Sequence, residues 1–249
     1  MKNIIAIVLA AVLMCGVFVG CGSAGAGDKG VVNVYNWGEY IDEDLLKDFK
    51  AETGITVNYK TYETNEQLYS VLKQGGVSYD VIIPSDYMIN RLIQEDMLEK
   101  LDFSNIPNLS LLDSQYLKQS YDPTGEYTVP YMWGTVGIIY NSAVVDEADV
   151  GSWDLLWNEK YAEQILMFDN SRDAMAIALL KLGYSINTTD EAELNEAYEL
   201  LARQKPLVQA YVMDQIFNKM ESGEAAVAPY YAGDYLTMLE GNPDLKFYV

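Results

Sequence analysis

The chain has 249 residues, with 16 Lys and Arg against 37 Asp and Glu, no His, two Cys and 20 Tyr. That length can bury one large core or two modest ones, and a formal net charge of −21 argues against a nucleic-acid partner, because phosphate binding needs clustered Lys and Arg. The absence of His removes the usual general base and the commonest zinc ligand, which excludes Ser-His-Asp hydrolysis and His-based metal catalysis.

Met1, Lys2 and Asn3 form a short basic start, and Ile4 to Val19 is almost wholly apolar. This run is shorter than the roughly 20 residues of a membrane span but suits the core of an export signal. Phe18-Val19-Gly20-Cys21 resembles a bacterial lipobox, although Phe18 stands where Leu is usual. We therefore expect a lipoprotein signal peptide over 1–20 and a lipidated Cys21, which would hold the protein at the membrane's outer face by acyl chains. An ordinary cleavage site with an incidental Cys is the alternative. Cleavage also removes Cys15, leaving Cys21 no partner for an intramolecular disulfide. Residues 21–30, rich in Gly and Ala, read as a flexible tether.

From Val31 the pattern alternates. Val31–Tyr35 is strand-like; Asp42-Glu43-Asp44 opens a helix whose Leu45, Leu46 and Phe49 share a face until Gly54 stops it. Ile55–Tyr59 is the next strand, Asn65-Glu66-Gln67 caps a helix running to Gly75-Gly76, and Asp80–Pro84 reads as a buried strand. Ser85 caps a helix through Leu92 and Ile93. Such alternation predicts an α/β layer fold with a mainly parallel sheet.

Tyr127 to Tyr140 is strand-like but interrupted by Pro130, Gly134 and Gly137, as a connection between two lobes would be. A strand at Ile165–Phe168 follows, then helices carrying Met175, Ala178, Leu179 and Leu182 and then Leu194, Ala197, Tyr198 and Leu201. Ala225–Pro229 reads as a strand, Asp234–Glu240 as a helix and Leu245–Val249 as the start of another strand. Because the chain stops inside that apolar strand, we expect it to be a fragment of a longer protein. The expected lobes are 31–133 and 134–249, each incomplete.

Aromatic and acidic residues gather where strands should end: Tyr35-Asn36-Trp37-Gly38-Glu39-Tyr40, Pro84-Ser85-Asp86-Tyr87 and Asp169-Asn170-Ser171-Arg172-Asp173. Open α/β sheets bind ligands at the carboxyl ends of their strands. Ring faces plus carboxylates are what an organic cation needs, through cation–π attraction and charge-assisted hydrogen bonds. Each cluster also has a plain structural account. Trp37 and Tyr40 fit lobe packing, Glu39 an ordinary surface acid, Ser85 a helix N-cap, Asn170 with Asp173 a capping box, and Tyr230-Tyr231 core filling. Spacing leaves both accounts open.

At these residues a family resemblance emerges. Tyr35 to Tyr40, Glu52-Thr53-Gly54-Ile55, Tyr62-Glu63-Thr64-Asn65-Glu66, Pro84-Ser85-Asp86-Tyr87, Val129 to Gly134 and Lys181 to Asp190 resemble, in order, motifs of the spermidine/putrescine-binding proteins of bacterial polyamine ABC transporters. The resemblance implies a two-lobed type II periplasmic-binding-protein fold. Such a protein closes on a polyamine in its cleft and delivers it to a membrane permease. It further implies that Trp37 and Tyr40 flank the methylene chain, that Glu39 binds an amine, and that Tyr87 forms an aromatic wall beside Ser85 and Asp86. Asp173 then matches an ammonium-binding carboxylate and Tyr231 a position that is often Trp. Asn170 departs from the family's usual Asp, which weakens the case for spermidine and leaves diamine putrescine, or a different register, open; Gly38 replaces a frequent hydroxyl residue, and Met213 or its neighbour falls where a Ser contact would be.

The expected protein is thus a monomeric solute-binding lipoprotein, not an enzyme, with no cofactor and no metal. Two alternatives remain: the same fold binding an amino-acid-like compound or a complexed metal, for which Arg172 is the nearby basic residue, and a secreted carboxylate-dependent hydrolase or a surface adhesin. A hydrolase would need a carboxylate pair, and Asp42/Asp44 and Asp146/Asp149 look like helix starts and turns; no Gly-x-Ser-x-Gly elbow is present.

Overall fold

The computed structural model describes residues 29–249. The expected signal peptide, Cys21 and nearly all of the expected tether lie outside the described residues. Among the described residues no helix is long and apolar enough to cross a membrane. The chain forms two compact units, one containing residues up to 61 together with 74–83 and the other containing 62–73 and 84–249.

In the first unit, β1 (Gly30–Trp37) is the middle strand of a sheet ordered β2-β1-β3, with β2 at Ile55–Tyr62 and β3 at Val81–Ile82. β1 and β3 are parallel, pairing Val34 with Val81 and Tyr35 with Ile82. Helix α1 (Asp44–Thr53) ends where expected, because Gly54 takes a φ of 78° and returns its N–H to the Lys50 carbonyl. That left-handed stop costs a glycine little and a side chain more. The strand read as buried at Asp80–Pro84 is shorter than expected, and Val81 is 47% exposed. A continuous apolar run is buried only when both faces are covered, and here one face stays open. Its entry is fixed instead by Asp80, whose carboxylate accepts the Asn33 backbone N–H at 2.7 Å and the Asn33 amide at 3.1 Å.

The second unit opens with α2 (Asn65–Gln74) and α3 (Asp86–Gln94) and is dominated by a sheet ordered β6-β5-β7-β4-β8. These strands are β4 (Val136–Asn141), β5 (Ile165–Phe168), β6 (Val208–Val212), β7 (Val227–Tyr231) and β8 (Leu245–Tyr248). β5 is parallel to β6 and β7, whereas β4 runs antiparallel to β7 and β8, so this sheet is mixed. All four residues of β5 are buried, as an interior strand covered on both faces requires. Helices α4 (Ser171–Leu182), α5 (Glu191–Gln204), α6 (Ile216–Glu221) and α7 (Ala232–Gly241) follow in chain order. α4 and α5 pack through Ala178, Leu179, Ala197 and Leu200.

Two sequence expectations change here. Gly137 does not interrupt a connection but lies inside β4, where an added Cβ would strike the Tyr248 carbonyl and come within 2.6 Å of the Phe247 ring; the glycine lets β8 approach closely. Helix α6 and strand β6 were not anticipated: Val208-Gln209-Ala210-Tyr211-Val212 alternates, but Pro206 close before it obscures the signal.

Candidate functional site

Because β5 and β7 are parallel neighbours, their carboxyl ends lie side by side. β5 passes through Asp169-Asn170 into α4, and β7 ends at Tyr231, directly before α7. Asn170 is buried, with extended backbone, and its Oδ1 accepts the N–H groups of Arg172 at 3.0 Å and Asp173 at 3.4 Å. This N-cap satisfies donors that the helix leaves unpaired, and it sets Asp173 one turn into α4. The expected capping box is only half formed. Instead of reaching back to the cap, the Asp173 carboxylate accepts the Tyr231 hydroxyl at 2.6 Å.

Tyr231 is itself braced by rings, with centroids 5.4 Å from Phe168 and 4.9 Å from Tyr230. Tyr230 fills the core at 2% exposure, so the core-filling account holds for it, while Tyr231 carries its hydroxyl to Asp173. Burial pushes the Asp173 carboxyl above its ordinary value; the Tyr231 hydroxyl opposes that shift, and the charges of Glu66 and Asp86 add to it.

The second wall comes from the starts of α2 and α3. Thr64, rather than Asn65, caps α2, accepting the Gln67 N–H at 3.1 Å. Asn65, the first residue of α2, is fully buried and points elsewhere. Its amide donates to Ser85 Oγ at 3.0 Å and to the Tyr87 hydroxyl at 2.8 Å, and its oxygen accepts the Ser85 N–H at 3.1 Å. Ser85 therefore holds the N-cap position of α3 by backbone only, and its side chain caps nothing. Asp86 is exposed and accepts the Tyr87 N–H at 2.6 Å. Burial, followed by the charge of Glu66, pushes the Tyr87 phenol up to about 12. The Arg172 guanidinium lies over the Tyr87 ring, 4.1 Å from its centroid.

Tyr87, Asp173 and Tyr231 are thus brought together within the second unit, with Ser85 held alongside and Glu66 and Asp86 close enough to act on the group electrostatically. Sequence reading missed Asn65 and Glu66 as site members. It took Asn65 for a cap, and no local pattern reveals a bond to a residue 20 positions away. Met213 is buried in the core at 3% exposure. In the first unit, Trp37 ends β1 and its ring lies 6.1 Å from that of Tyr40 at a 41° tilt. Glu39, between them, is exposed on a backbone with φ 53°, a conformation that costs a non-glycine residue energy and clusters at functional turns.

Among the described residues, no group of three or more His, Cys, Asp or Glu is placed to hold a metal ion. A largely buried carboxylate, aromatic hydroxyls and ring faces in an acidic field can bind a cation. The family of bacterial extracellular solute-binding proteins matches the chain over residues 44–248, and the chain belongs to that family. Its α/β architecture is the type II periplasmic-binding-protein fold.

The chain is 38% identical over 228 residues to the spermidine/putrescine-binding periplasmic protein of Salmonella typhimurium, covering 90% of this chain and 65% of that relative. It is 36% identical over 225 residues to the putrescine-binding periplasmic protein SpuD of Pseudomonas aeruginosa, covering 86% of this chain and 61% of that relative. The chain thus spans somewhat less than two thirds of the length of these relatives. Among solved structures, it resembles the spermidine/putrescine ABC transporter substrate-binding protein PotD of Streptococcus pneumoniae, with a TM-score of 0.70 and 41% identity over 88% of this chain and 68% of that one. It also resembles the PotD lipoprotein of Treponema pallidum, with a TM-score of 0.79 and 30% identity over 88% and 70% of the two chains.

Proposed function

We propose that the protein is an exported solute-binding component that captures a polyamine, putrescine or spermidine, and passes it to the permease of an ABC transporter. The observation that carries this reading is Asp173. Its carboxylate is desolvated, receives the Tyr231 hydroxyl, and is crowded by the like charges of Glu66 and Asp86. An ammonium group relieves both the desolvation and the repulsion, and the rings of Tyr87 and Tyr231 supply faces for it and for the attached methylenes. The relatives' names, spermidine/putrescine-binding and putrescine-binding, agree with that chemistry.

Trp37, Glu39, Tyr40, Ser85, Asp86, Tyr87, Asn170, Asp173 and Tyr231 are the proposed ligand contacts. Asn170 spends its oxygen on two backbone N–H groups, so the amine charge at this end falls to Asp173, which favours a diamine. Capture proceeds by closure of two lobes, which we set at 31–133 and 134–249, and it requires the ligand to bind the closed state better than the open one. The protein works as a monomer, without cofactor or catalysis, anchored by acyl chains on Cys21; the lipoprotein among its structural neighbours supports the anchor. Arg172 is the feature that favours an anionic, amino-acid-like solute instead. With its guanidinium on Tyr87 among three carboxylates, an anion gains one partner and meets three repulsions.

Calorimetric titration of the full-length mature protein with putrescine, spermidine and cadaverine tests the reading. Saturable binding of at least one amine is expected; no heat up to high micromolar concentrations sinks it.

A further inference from the structure

The first turn of α4 holds a residue that helix electrostatics disfavours. Arg172 is the second residue of that helix, where the positive end of the macrodipole repels a cation and favours carboxylates. Its backbone N–H is fixed by the Asn170 cap at 3.0 Å, and its guanidinium lies over the Tyr87 ring at 4.1 Å. Tyr87 in turn is fixed by the buried Asn65. The positive charge is thereby seated on Tyr87, the ring on which Asp173 also acts, in the site where a cationic ligand is proposed to bind.

We propose that Arg172 is a specificity-determining residue: its fixed charge opposes ligands in proportion to their own positive charge and so tilts the site toward diamines over triamines. This rests on the polyamine reading above. The repulsion acts on every ammonium group of the ligand, so a ligand with three charges loses more than one with two. Stacking on Tyr87 is a separate contribution that both ligands share. Arg172 is exposed, so its field is screened by salt, and the discrimination should weaken as ionic strength rises.

The test is calorimetric titration of the full chain with putrescine and with spermidine, for the wild type, Arg172→Gln and Arg172→Lys, at low and at high salt. Arg172→Gln should raise the spermidine-to-putrescine affinity ratio by roughly threefold or more at low salt, with the gain shrinking at high salt. Arg172→Lys, which retains the charge but not the planar stack, should keep the ratio close to that of the wild type. An unchanged ratio in Arg172→Gln overturns the proposal, and so does an equal shift in both variants, which would assign the effect to stacking. A wild type that binds neither amine overturns the polyamine reading and this inference together. A wild type that binds, paired with an unresponsive ratio, removes the inference alone.

Discussion

Asp122 and Asp173 are two carboxylates withdrawn from water in the same unit, and the protein treats them in opposite ways. Asp122, 2% exposed, accepts the N–H groups of Gly125, Glu126 and Tyr127 at 3.1, 3.3 and 3.0 Å and the hydroxyls of Thr124 and Thr128 at 3.2 and 2.9 Å. Burial alone would push this acid up, but the donors outweigh it and hold the carboxyl below its ordinary value. Asp173 receives, among the described residues, the Tyr231 hydroxyl and the repulsion of Glu66 and Asp86, and its carboxyl is pushed up. A carboxylate saturated by its own loop organises structure. One left short of donors in an acidic field is arranged for a cation that arrives from outside.

The largest effect on stability is expected at Asp122. Asp122→Ala leaves a set of loop donors without their acceptor, and should cost about 3 kcal/mol of unfolding free energy in urea. Its folded-state carboxyl lies below the ordinary value of 3.8, so its stabilisation is complete above that pH and is lost as pH falls through the folded value. The gap between wild type and Asp122→Ala should therefore narrow in acid. A loss that does not vary with pH would mean that the loop is organised by something other than the charge.

Asn65→Ala comes next. It removes a fully buried amide with three hydrogen bonds to Ser85 and Tyr87, and should cost about 2 kcal/mol in the same measurement. Amine affinity should also fall, because Tyr87 loses its anchor. Asn170→Ala removes the cap of α4 and should cost about 1 kcal/mol by thermal unfolding. Asn170→Asp keeps the cap but adds a buried charge beside Asp173, so it should raise amine affinity while lowering the stability of the ligand-free protein.

These residues also show how far local pattern reaches. α1, α3, β5 and the Gly54 stop were legible because periodicity, caps and glycine act over a few positions. Asn170 as a cap was legible for the same reason. Asp173 was legible as a candidate, but its spacing from Asn170 also fits a capping box, and only the adjacency of β5 and β7 gives its carboxylate to Tyr231, 58 residues away. Asn65 went unread as a site residue because its role depends on Ser85 and Tyr87 across a 20-residue gap. The ladder at β3 is similar: the apolar run was visible, but the open face at Val81 depends on what packs over it.

Asp173→Asn has the smallest expected effect on stability, and the opposite sign. The raised folded-state value means that between about pH 3.8 and that value the native state holds more proton than the unfolded chain. Stability of the ligand-free protein therefore falls as pH rises through that window and stays lower above it. Asparagine keeps an oxygen for the Tyr231 hydroxyl and carries no charge for Glu66 and Asp86 to repel. Ligand-free Asp173→Asn should then melt no lower than wild type at neutral pH, and slightly higher, with the difference vanishing in acid. The same substitution should weaken amine binding by roughly tenfold or more, because the charge-assisted hydrogen bond to the ammonium is lost. If Asp173→Asn instead lost stability as Asp122→Ala does, with affinity intact, Asp173 would be a second structural carboxylate and the distinction between the two would collapse.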